Sequence, residues 1–507
     1  MLMDGRRVTR PLVEEADAVI VGSGAGGAPM ARRLARAGKN VLMVEEGGRF
    51  TVKDFNRDSY DMTKKMYRGM ATMVTLGRPG IPLPLGKTYG GTTTINSGTC
   101  FRLPAKVSEH WRTEFGLVHL TDEYLQPFFD EVERTLHVEE VPWDTMSGGN
   151  QVFAEGMKKL GYHGGPLRRN QIKCRGAGVC ALGCPNDAKR PMHLNYLPQA
   201  EEAGAQVWLH SKVDSILTVG GKAIGVSGLF QNEEGRAPVR FSIRAKVVIL
   251  AAGTIGTPHL LLRNRMANSS GHVGRHLRIH PSAKLVSFMD RDVKAWSGVP
   301  QAYYCDQFSD EGLMMEGFFI APSLLAFSLP ASGARLKHYM SEYNKMATFG
   351  VMVSDTSEGR VRALPLNPDP IMTYELNRRD TESFVKGIKI AARIFFEAGA
   401  KKVLPPVFGV EEIRSPDEID RLLDPARIQA TDLELIAFHP MGTCRMAADP
   451  RMGVVDGNLE CHDVRHLFVA DGSIFPSSLG VNPQESIMAF SEMAAQRMLE
   501  AERRYFA

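Results

Sequence analysis

The sequence lacks both a long hydrophobic run and a marked excess of charge. Its 507 residues include 61 basic and 57 acidic side chains, a formal net charge of +4, so neither nucleic acid nor an anionic membrane is predicted as a partner. No apolar stretch has the length that a membrane span needs. The most apolar segment, residues 312–336, is interrupted by Glu316, Pro322 and Pro330. We therefore expect no transmembrane segment.

Cysteine is also scarce, and no signal peptide is visible. Seven cysteines, an odd number, are typical of a reducing compartment rather than of a disulfide scaffold. Residues 1–17 contain no apolar core of the signal-peptide type. These features predict a cytoplasmic protein; peripheral membrane association and export together with a partner stay open as alternatives.

The front of the chain predicts a nucleotide-binding unit. An apolar strand, "ADAVIVG", leads into the turn "GSGAGG", then a helix and a second strand, "NVLMVE". Gly22, Gly24 and Gly27 give the turn the backbone freedom and the close approach that a pyrophosphate at a helix N-terminus requires. Glu45, at the end of the second strand, stands where an acidic side chain binds a ribose hydroxyl. The alternative is an ordinary glycine-rich turn, and this unit alone does not distinguish one dinucleotide from another.

Four further motifs follow the front unit in a fixed order. They are "GKTYGGTTTINSGTCFR" (86–102), "AAGTIGTPHLLLRN" (251–264), "FHPMGTCRM" (438–446) and "HLFVADGSIFPSSLGVNPQESIMAF" (466–490). Together with the front unit, this set resembles the glucose–methanol–choline (GMC) family of flavin oxidoreductases. The resemblance implies FAD rather than NAD. It also implies oxidation of an alcohol to an aldehyde or ketone by hydride transfer to flavin N5.

The resemblance further implies which residues bind FAD. Besides Gly22, Gly24, Gly27 and Glu45, they are Gly90, Gly91, Thr92, Asn96, Val213, Asp471, Gly472 and Pro483. In this family the "GGTTTIN" stretch lies along the pyrophosphate and the isoalloxazine, and Val213 corresponds to the position whose backbone meets the adenine. Some members tether the flavin through a histidine in this stretch, where the present chain has Ile95, so non-covalent FAD is expected. The alternatives are ordinary glycine-rich and strand-end turns, with Asp471 as a cap.

The family resemblance places the catalytic pair at His439 and Asn482. Histidine suits the role of base because its ordinary pKa lies near the working pH. Asparagine can hold the substrate oxygen but cannot take up its proton. Asn482, followed by Pro483 and Glu485, is also a helix-start pattern, so Asn482 is alternatively an N-cap, and both roles can coexist. His280 is interpreted as structural.

The length of the chain predicts two or more packed units. The resemblance implies an α/β architecture with a discontinuous, Rossmann-like FAD-binding domain over residues 16–115, 201–285 and 431–507. An inserted α+β substrate-binding domain, built on a sheet, is expected from residues 116–200 and 286–430. Methionine-rich and phenylalanine-rich stretches in the second insertion favour a hydrophobic alcohol as the small-molecule substrate, or are simply core. The cysteine segment and "YLPQAEEAGAQVW" also resemble long-chain and sterol-type alcohol oxidases.

Three cysteines, Cys174, Cys180 and Cys184, form the pattern C-x5-C-x3-C-P. A zinc site commonly uses four ligands in CxxC pairs, and cluster ferredoxins use C-x2-C steps. We therefore predict no metal, and either reduced thiols or one disulfide. The segment also resembles the cluster-bearing sugar dehydrogenases of the family. A three-iron cluster is thus an alternative, in a dehydrogenase subunit that passes electrons to a haem or quinone partner.

The electron acceptor is left open by the sequence. Oxygen would make the protein an oxidase, and a quinone or a redox protein would make it a dehydrogenase. A further alternative comes from the hydroxynitrile lyases of the same family, which hold FAD without using its redox chemistry.

Overall fold

The computed structural model describes residues 1–231 and 237–507. Its α-helices are α1 (Gly27–Arg36), α2 (Ser59–Met66), α3 (Ala105–Glu114), α4 (Asp122–Leu136), α5 (Gly148–Leu160), α6 (Tyr196–Glu202), α7 (Gly253–Arg263), α8 (Pro322–Ser328), α9 (Gly333–Ser341), α10 (Arg378–Glu397), α11 (Pro416–Leu422), α12 (Gln484–Glu500) and α13 (Glu502–Tyr505). Its strands are β1 (Leu2–Asp4), β2 (Leu12–Val21), β3 (Val41–Val44), β4 (Val138–Glu140), β5 (Gly164–Pro166), β6 (Arg168–Asn170), β7 (Gln206–Leu209), β8 (Ser211–Val219), β9 (Lys222–Phe230), β10 (Val239–Leu250), β11 (Pro281–Phe288), β12 (Tyr303–Cys305), β13 (Leu313–Gly317), β14 (Met346–Val353), β15 (Gly359–Arg362), β16 (Ile371–Tyr374), β17 (Lys402–Leu404), β18 (Leu435–Ala437) and β19 (Leu467–Val469).

The first sheet is the predicted nucleotide-binding layer. Its strands run in the order β1-β7-β3-β2-β10, all parallel, and β19 pairs with the C-terminal end of β10. The N-terminal half of β10 continues into an antiparallel meander with β9 and β8. The ends of β2 and β3 are continuous runs of buried Val, Ile, Leu and Met, as expected where helices cover both faces of a parallel sheet. The predicted α/β, Rossmann-like class is confirmed.

The second sheet is antiparallel and forms a separate core. Its order is β17-β11-β14-β13-β12-β5, with β18 also paired to β11. The long helix α10 and helix α5 pack against β14, and Phe153 of α5 stacks on Phe349 of that strand. Strand β13 of this sheet holds Glu316, whose side chain contacts Asn482 of the first unit.

The predicted domain limits and the sheets do not coincide everywhere. The predicted boundary between residues 285 and 286 falls inside β11, and β18, assigned from sequence to the FAD-binding segments, pairs with β11 in the second sheet. Helix α4, within the predicted insertion 116–200, packs against α12. Amphipathic helices in an insertion can cover either core, which segment order alone does not distinguish.

The start of α12 differs from its predicted form. The helix begins at Gln484, with Pro483 at the capping position and no side-chain hydrogen bond to the first turn. The Asn482 amide instead lies within hydrogen-bond distance of Glu316 and His439. The interpretation of Asn482 as an N-cap is therefore wrong, because two buried partners hold its side chain away from the helix.

The methionine-rich stretches belong mostly to the cores. Met314, Met315, Met346 and Met352 are buried in the packing around the two sheets. The segment that follows β13 is more open, and the Phe327 side chain in α8 is 92% exposed. Among the described residues, no helix combines the length and apolar character that crossing a membrane requires.

Candidate active site

The turn after β2 contains glycines that are required for different structural reasons. A Cβ on Gly22 would lie 2.2 Å from the Ala251 carbonyl oxygen, and one on Gly26 would lie 1.5 Å from that of Ala470. Both positions are closed by the chain's own backbone. Gly24 is different, because its Cβ would meet only the Gly91 Cα at 3.7 Å. The backbone beside Gly24 is thus open to a ligand.

A buried serine connects the turn to the predicted ribose-binding carboxylate. Ser23 Oγ donates to Glu45 Oε2 at 2.6 Å and accepts the Gly90 N–H at 3.0 Å. The backbone N–H of Ser23 also donates to Oε2, and that of Gly47 donates to Oε1 at 2.7 Å. Burial raises the pKa of Glu45, although these hydrogen bonds oppose the rise. The side chain is held at the end of β3, beside the turn.

The predicted FAD-binding stretch 90–96 lies directly against the turn. Gly90 and Gly91 have φ of +102° and +56°, left-handed values that favour glycine. A Cβ on Gly91 would lie 2.8 Å from the Gly24 Cα, so the two glycines face each other. Thr92 accepts the Gly86 N–H through its hydroxyl. Asn96 Nδ2 donates to Gln484 Oε1 at 2.8 Å and thereby joins this stretch to the start of α12.

Asp471 and Gly472 lie where β19 meets the helices of the first unit. Buried Asp471 accepts the N–H groups of Gly253 and Ser473 and the Thr257 hydroxyl. Asp471 therefore caps a short 3-10 helix, which is one of the two roles that the sequence predicted for it. It also accepts hydrogen bonds from the first turns of α7. Val213, in β8, pairs with Gly228.

The catalytic pair predicted from the resemblance is brought together. His439, which follows β18, has its Nε2 3.2 Å from the Asn482 amide nitrogen. The same nitrogen lies 3.3 Å from Glu316 Oε2 on β13, and that oxygen also accepts from the Gln301 amide. A carboxylate only accepts hydrogen bonds, so it turns the NH2 group of Asn482 toward itself. The Asn482 Oδ1 atom is buried and has no partner among the described residues.

Burial sets the protonation of this group. It lowers the pKa of His439 to about 4 and raises the pKa of Glu316 to about 7. A neutral His439 ring that accepts at Nε2 carries its proton on Nδ1. His280 packs edge-on against the His439 ring, with centroids 5.6 Å apart, and its Nε2 accepts the Gly480 N–H. His280 is fully buried, and burial holds its pKa well below the ordinary value. His280 therefore stays uncharged and places no positive charge beside the His439 ring.

The three clustered cysteines lie next to the 90–96 stretch, because Lys189, which borders their cleft, donates to the backbone carbonyls of Thr94 and Asn96. Cys174, Cys180 and Cys184 line one small cleft, and each residue is partly exposed. All three are free thiols here. In the described part of the chain, no three His, Cys, Asp or Glu side chains are placed to hold a metal ion.

Sequence reasoning missed three residues of this site: Ser23, Glu316 and Gln484. Ser23 lies inside the recognised turn, but its bond to Glu45 requires the two strands to be paired. Glu316 had a visible signal, since a lone carboxylate in an apolar strand needs a buried partner or an altered pKa. Gln484 lies inside the helix-start pattern, between Pro483 and Glu485, and that pattern assigns no role to its side chain.

Comparison with known proteins identifies the family. Models of the GMC oxidoreductase family match residues 63–282 and 355–491. An uncharacterized GMC-type oxidoreductase of Mycobacterium tuberculosis (strain ATCC 25618 / H37Rv) is 38% identical over 96% of this chain and 76% of its own. A long-chain-alcohol oxidase of Arabidopsis thaliana is 27% identical over 96% of this chain and 67% of its own.

A solved structure shares the fold. Pyridoxine 4-oxidase from Mesorbium loti superimposes with a TM-score of 0.71 at 20% identity, over 96% of this chain and 99% of that one. The chain belongs to the GMC oxidoreductase family. It is accordingly an FAD-dependent oxidoreductase.

The residues present fit FAD. Gly24 leaves its stretch of backbone open, and the starts of α1 and α12 are buried without a side-chain cap. Uncapped N–H groups at helix starts attract the negative charge of a pyrophosphate or a reduced flavin. Glu45, the predicted ribose-binding residue, lies at the end of β3. The fit rests on these features of the protein itself.

Proposed function

We propose that the protein oxidises an alcohol CH–OH group to a carbonyl, with His439 as the base. The observation that supports this most directly is the contact of His439 Nε2 with Asn482 at 3.2 Å beside the start of α12. Burial keeps His439 neutral at ordinary pH. Its Nε2 lone pair, which the Asn482 N–H contacts in this structure, can accept the hydroxyl proton of a substrate whose oxygen replaces Nε2 as the acceptor of that N–H. In this proposal Asn482 orients the substrate oxygen.

Bound FAD supplies the acceptor for the hydride that leaves the substrate carbon. Gly22, Gly24, Gly91 and Asn96 are proposed to hold it, with Glu45 on the ribose. Ile95, buried among apolar side chains, offers no atom for a covalent tether, which supports non-covalent binding. The start of α12 is proposed to stabilise negative charge that develops on the ring.

Glu316 is proposed as a positioning residue that acts through Asn482. Its ionised form accepts from the amide nitrogen and so holds the NH2 group of Asn482 toward His439, where the second N–H can donate to the substrate oxygen. Its protonated form loses this orienting effect, because a carboxylic acid also donates. The Gln301 amide, bonded to the same oxygen, keeps the Glu316 side chain pointed at Asn482.

We propose a hydrophobic alcohol as the substrate. The similarity to long-chain-alcohol oxidases supports this choice, as does Phe438, a half-exposed aromatic side chain next to His439. The methionines of β13 and β14 no longer support it, since they are core residues. The electron acceptor is proposed to be oxygen, a quinone or a redox protein.

A direct test is the visible spectrum of the FAD-loaded protein without oxygen, before and after addition of short-chain, long-chain and sterol alcohols. We expect the flavin absorption to bleach, with the long-chain or sterol alcohols acting at the lowest concentrations. Bleaching by short polar alcohols alone would contradict the hydrophobic substrate. Full retention of the absorption with every alcohol would contradict alcohol oxidation and favour a lyase.

A further inference from the structure

One face of the second sheet is turned toward the proposed catalytic pair. Glu316 of β13 lies on this face, because its carboxylate contacts the Asn482 amide. Met314, two residues earlier, and its partner Met352 on β14 share the face and pack into the core of the first unit. The opposite face, with Phe349, packs against α5. Side chains on the Glu316 face are thus the ones placed to meet a substrate at Asn482.

An inner strand of the sheet has a glycine on this face. Gly350 of β14 is the antiparallel partner of Glu316, so a side chain at position 350 would stand beside that of Glu316. The residues before and after it in β14, Phe349 and Val351, are buried, whereas Gly350 is partly exposed. Glycine inside a strand weakens the strand and often marks a place where another group comes close.

The group that comes close to Gly350 is the ring of Phe318. A Cβ on Gly350 would lie 3.5 Å from both Cδ1 and Cε1 of Phe318, so the ring packs over the glycine. Phe318 is two residues beyond Glu316, and its carbonyl oxygen accepts the Thr348 hydroxyl of β14. The Phe318 side chain nevertheless belongs to a partly exposed residue. The ring is therefore an apolar surface on the Glu316 face that the described residues do not fully cover.

Two further apolar side chains are available close to His439 in the chain. Ile436 of β18 pairs with Ser282, which in turn pairs with Met352, so Ile436 also lies on the Glu316 face. Ile436 is partly exposed, and Phe438, directly before His439, is 49% exposed. Incompletely buried apolar side chains around a few polar groups are the usual lining of a site for an apolar ligand.

We propose that the Phe318 ring, packed over Gly350, determines specificity by contacting the hydrocarbon chain of the alcohol. The inference rests on the proposed function and deepens it, because it names the residue that recognises the apolar part of the substrate. A glycine at position 350 lets the ring lie close to the sheet and leaves room for the chain in front of it. Valine would add two methyl groups beyond the Cβ, so the ring would have to move away from the sheet and into that room.

The test measures binding of 2-methyl-2-dodecanol to the FAD-loaded protein by calorimetry. This tertiary alcohol has no hydrogen on its carbinol carbon, so it is not oxidised and reports on binding alone. Gly350→Val should weaken its binding at least about tenfold, the effect of roughly two methylene groups that lose an apolar contact. In a Phe318→Ala background the same valine should cost less than about twofold, because no ring is left to be moved. Gly350→Ala should cost much less than Gly350→Val, since its methyl group meets the ring at an ordinary contact distance.

Other outcomes would overturn the inference. An equal cost of valine with and without the ring, no cost in either background, or a parent protein that does not bind the tertiary alcohol would each remove the role of Phe318. If Gly350→Val does not fold, Phe318→Ala alone decides: binding at least about fivefold weaker supports the contact, and unchanged binding overturns it. Flavin bleaching by 1-dodecanol in the same samples tests the oxidation separately. Binding of the tertiary alcohol without any bleaching would contradict the proposed oxidation but not the contact with Phe318.

Discussion

At the scale of single residues, two glycines of one turn carry different constraints. Gly24→Ala places its new methyl group against nothing nearer than the Gly91 Cα at 3.7 Å, so the fold should tolerate it. The same methyl group would occupy the proposed pyrophosphate path. We therefore expect purified Gly24→Ala to be folded and to bind FAD at least about tenfold more weakly. Circular dichroism and titration of FAD-free protein with FAD measure the two properties.

Gly26→Ala is the matched control for Gly24→Ala. Its methyl group would lie 1.5 Å from the Ala470 carbonyl oxygen, and backbone cannot move away cheaply. We expect this variant to be strongly destabilised or insoluble. If Gly24→Ala bound FAD like the parent protein, the pyrophosphate would not pass this glycine.

The raised pKa of Glu316 predicts an inflection near pH 7 in the rate of flavin reduction. Burial raises its pKa to about 7 and lowers that of His439 to about 4. As pH rises through 7, Glu316 ionises and orients Asn482, so the anaerobic reduction rate should rise by about fivefold, the difference between a charged and a neutral hydrogen bond. As pH falls through 4, His439 is protonated and the rate should fall again.

Glu316→Gln separates these two steps. Glutamine does not ionise, so the inflection near pH 7 should disappear while the one near pH 4 persists. Stopped-flow absorbance over pH 4 to 9 with a single alcohol measures both. An unchanged inflection near pH 7 in the variant would assign that step to another group.

The residue scale also shows what sequence could and could not predict. Gly22, Gly24 and Glu45 were predicted from a motif whose spacing is local, and His439 from the family resemblance; their roles stay predictions. Glu316 is remote from Asn482 in the chain, and their contact depends on where the second sheet meets the first unit. No periodicity in either segment contains that information.

At the scale of elements, a buried ion-pair network joins the helices of the first unit. Glu492 of α12 is fully buried and accepts from Arg32 of α1 at 2.6 Å and from Arg33. Arg32 also pairs with Glu131 of α4. These contacts fix α1, whose start is the proposed pyrophosphate site, relative to α12, whose start lies beside the proposed catalytic pair.

Glu492→Gln should therefore destabilise the protein by about 3 kcal/mol, because two buried or half-buried guanidinium groups lose their shared counter-charge. Urea and thermal unfolding measure the loss. Glu500→Gln, at the exposed end of the same helix, should change stability by less than about 0.5 kcal/mol. Equal stability of the two variants would show that the network contributes nothing beyond a surface ion pair.

Element starts were predicted less well than element types. The parallel strands and the helices of the first unit follow from buried aliphatic runs and helical spacing, and the structure has them. The start of α12 was misassigned, because the Asn-Pro-Gln-Glu pattern matches a capped helix equally well. Tertiary partners, Glu316 and His439, decide where the Asn482 side chain goes.

At the scale of the whole molecule, the two sheets bring the proposed catalytic groups together from distant segments, beside the proposed FAD site. Non-covalent FAD predicts that denaturation releases all of the flavin. After acid or heat precipitation, we expect the flavin in the supernatant and none in the pellet. Adding FAD back to stripped protein should raise the melting temperature, with about 2.7 kcal/mol of stabilisation at a hundred times Kd. Flavin retained in the pellet would contradict the absence of a tether at Ile95.

The overall architecture was predictable because a family's motifs recur in order along the chain. The packing of inserted segments was less predictable. Helix α4 covers the first unit although it lies in a predicted insertion, since an amphipathic helix packs on whichever apolar face it reaches.

The most direct test of the account is the anaerobic rate of flavin reduction by an alcohol in His439→Ala, compared with the parent protein. His338→Ala, a change at an exposed histidine, serves as the control. We predict that His439→Ala keeps its FAD and is reduced about two to four orders of magnitude more slowly, while His338→Ala is unchanged. Reduction of His439→Ala at the parental rate would remove this histidine from the chemistry and contradict the proposed mechanism.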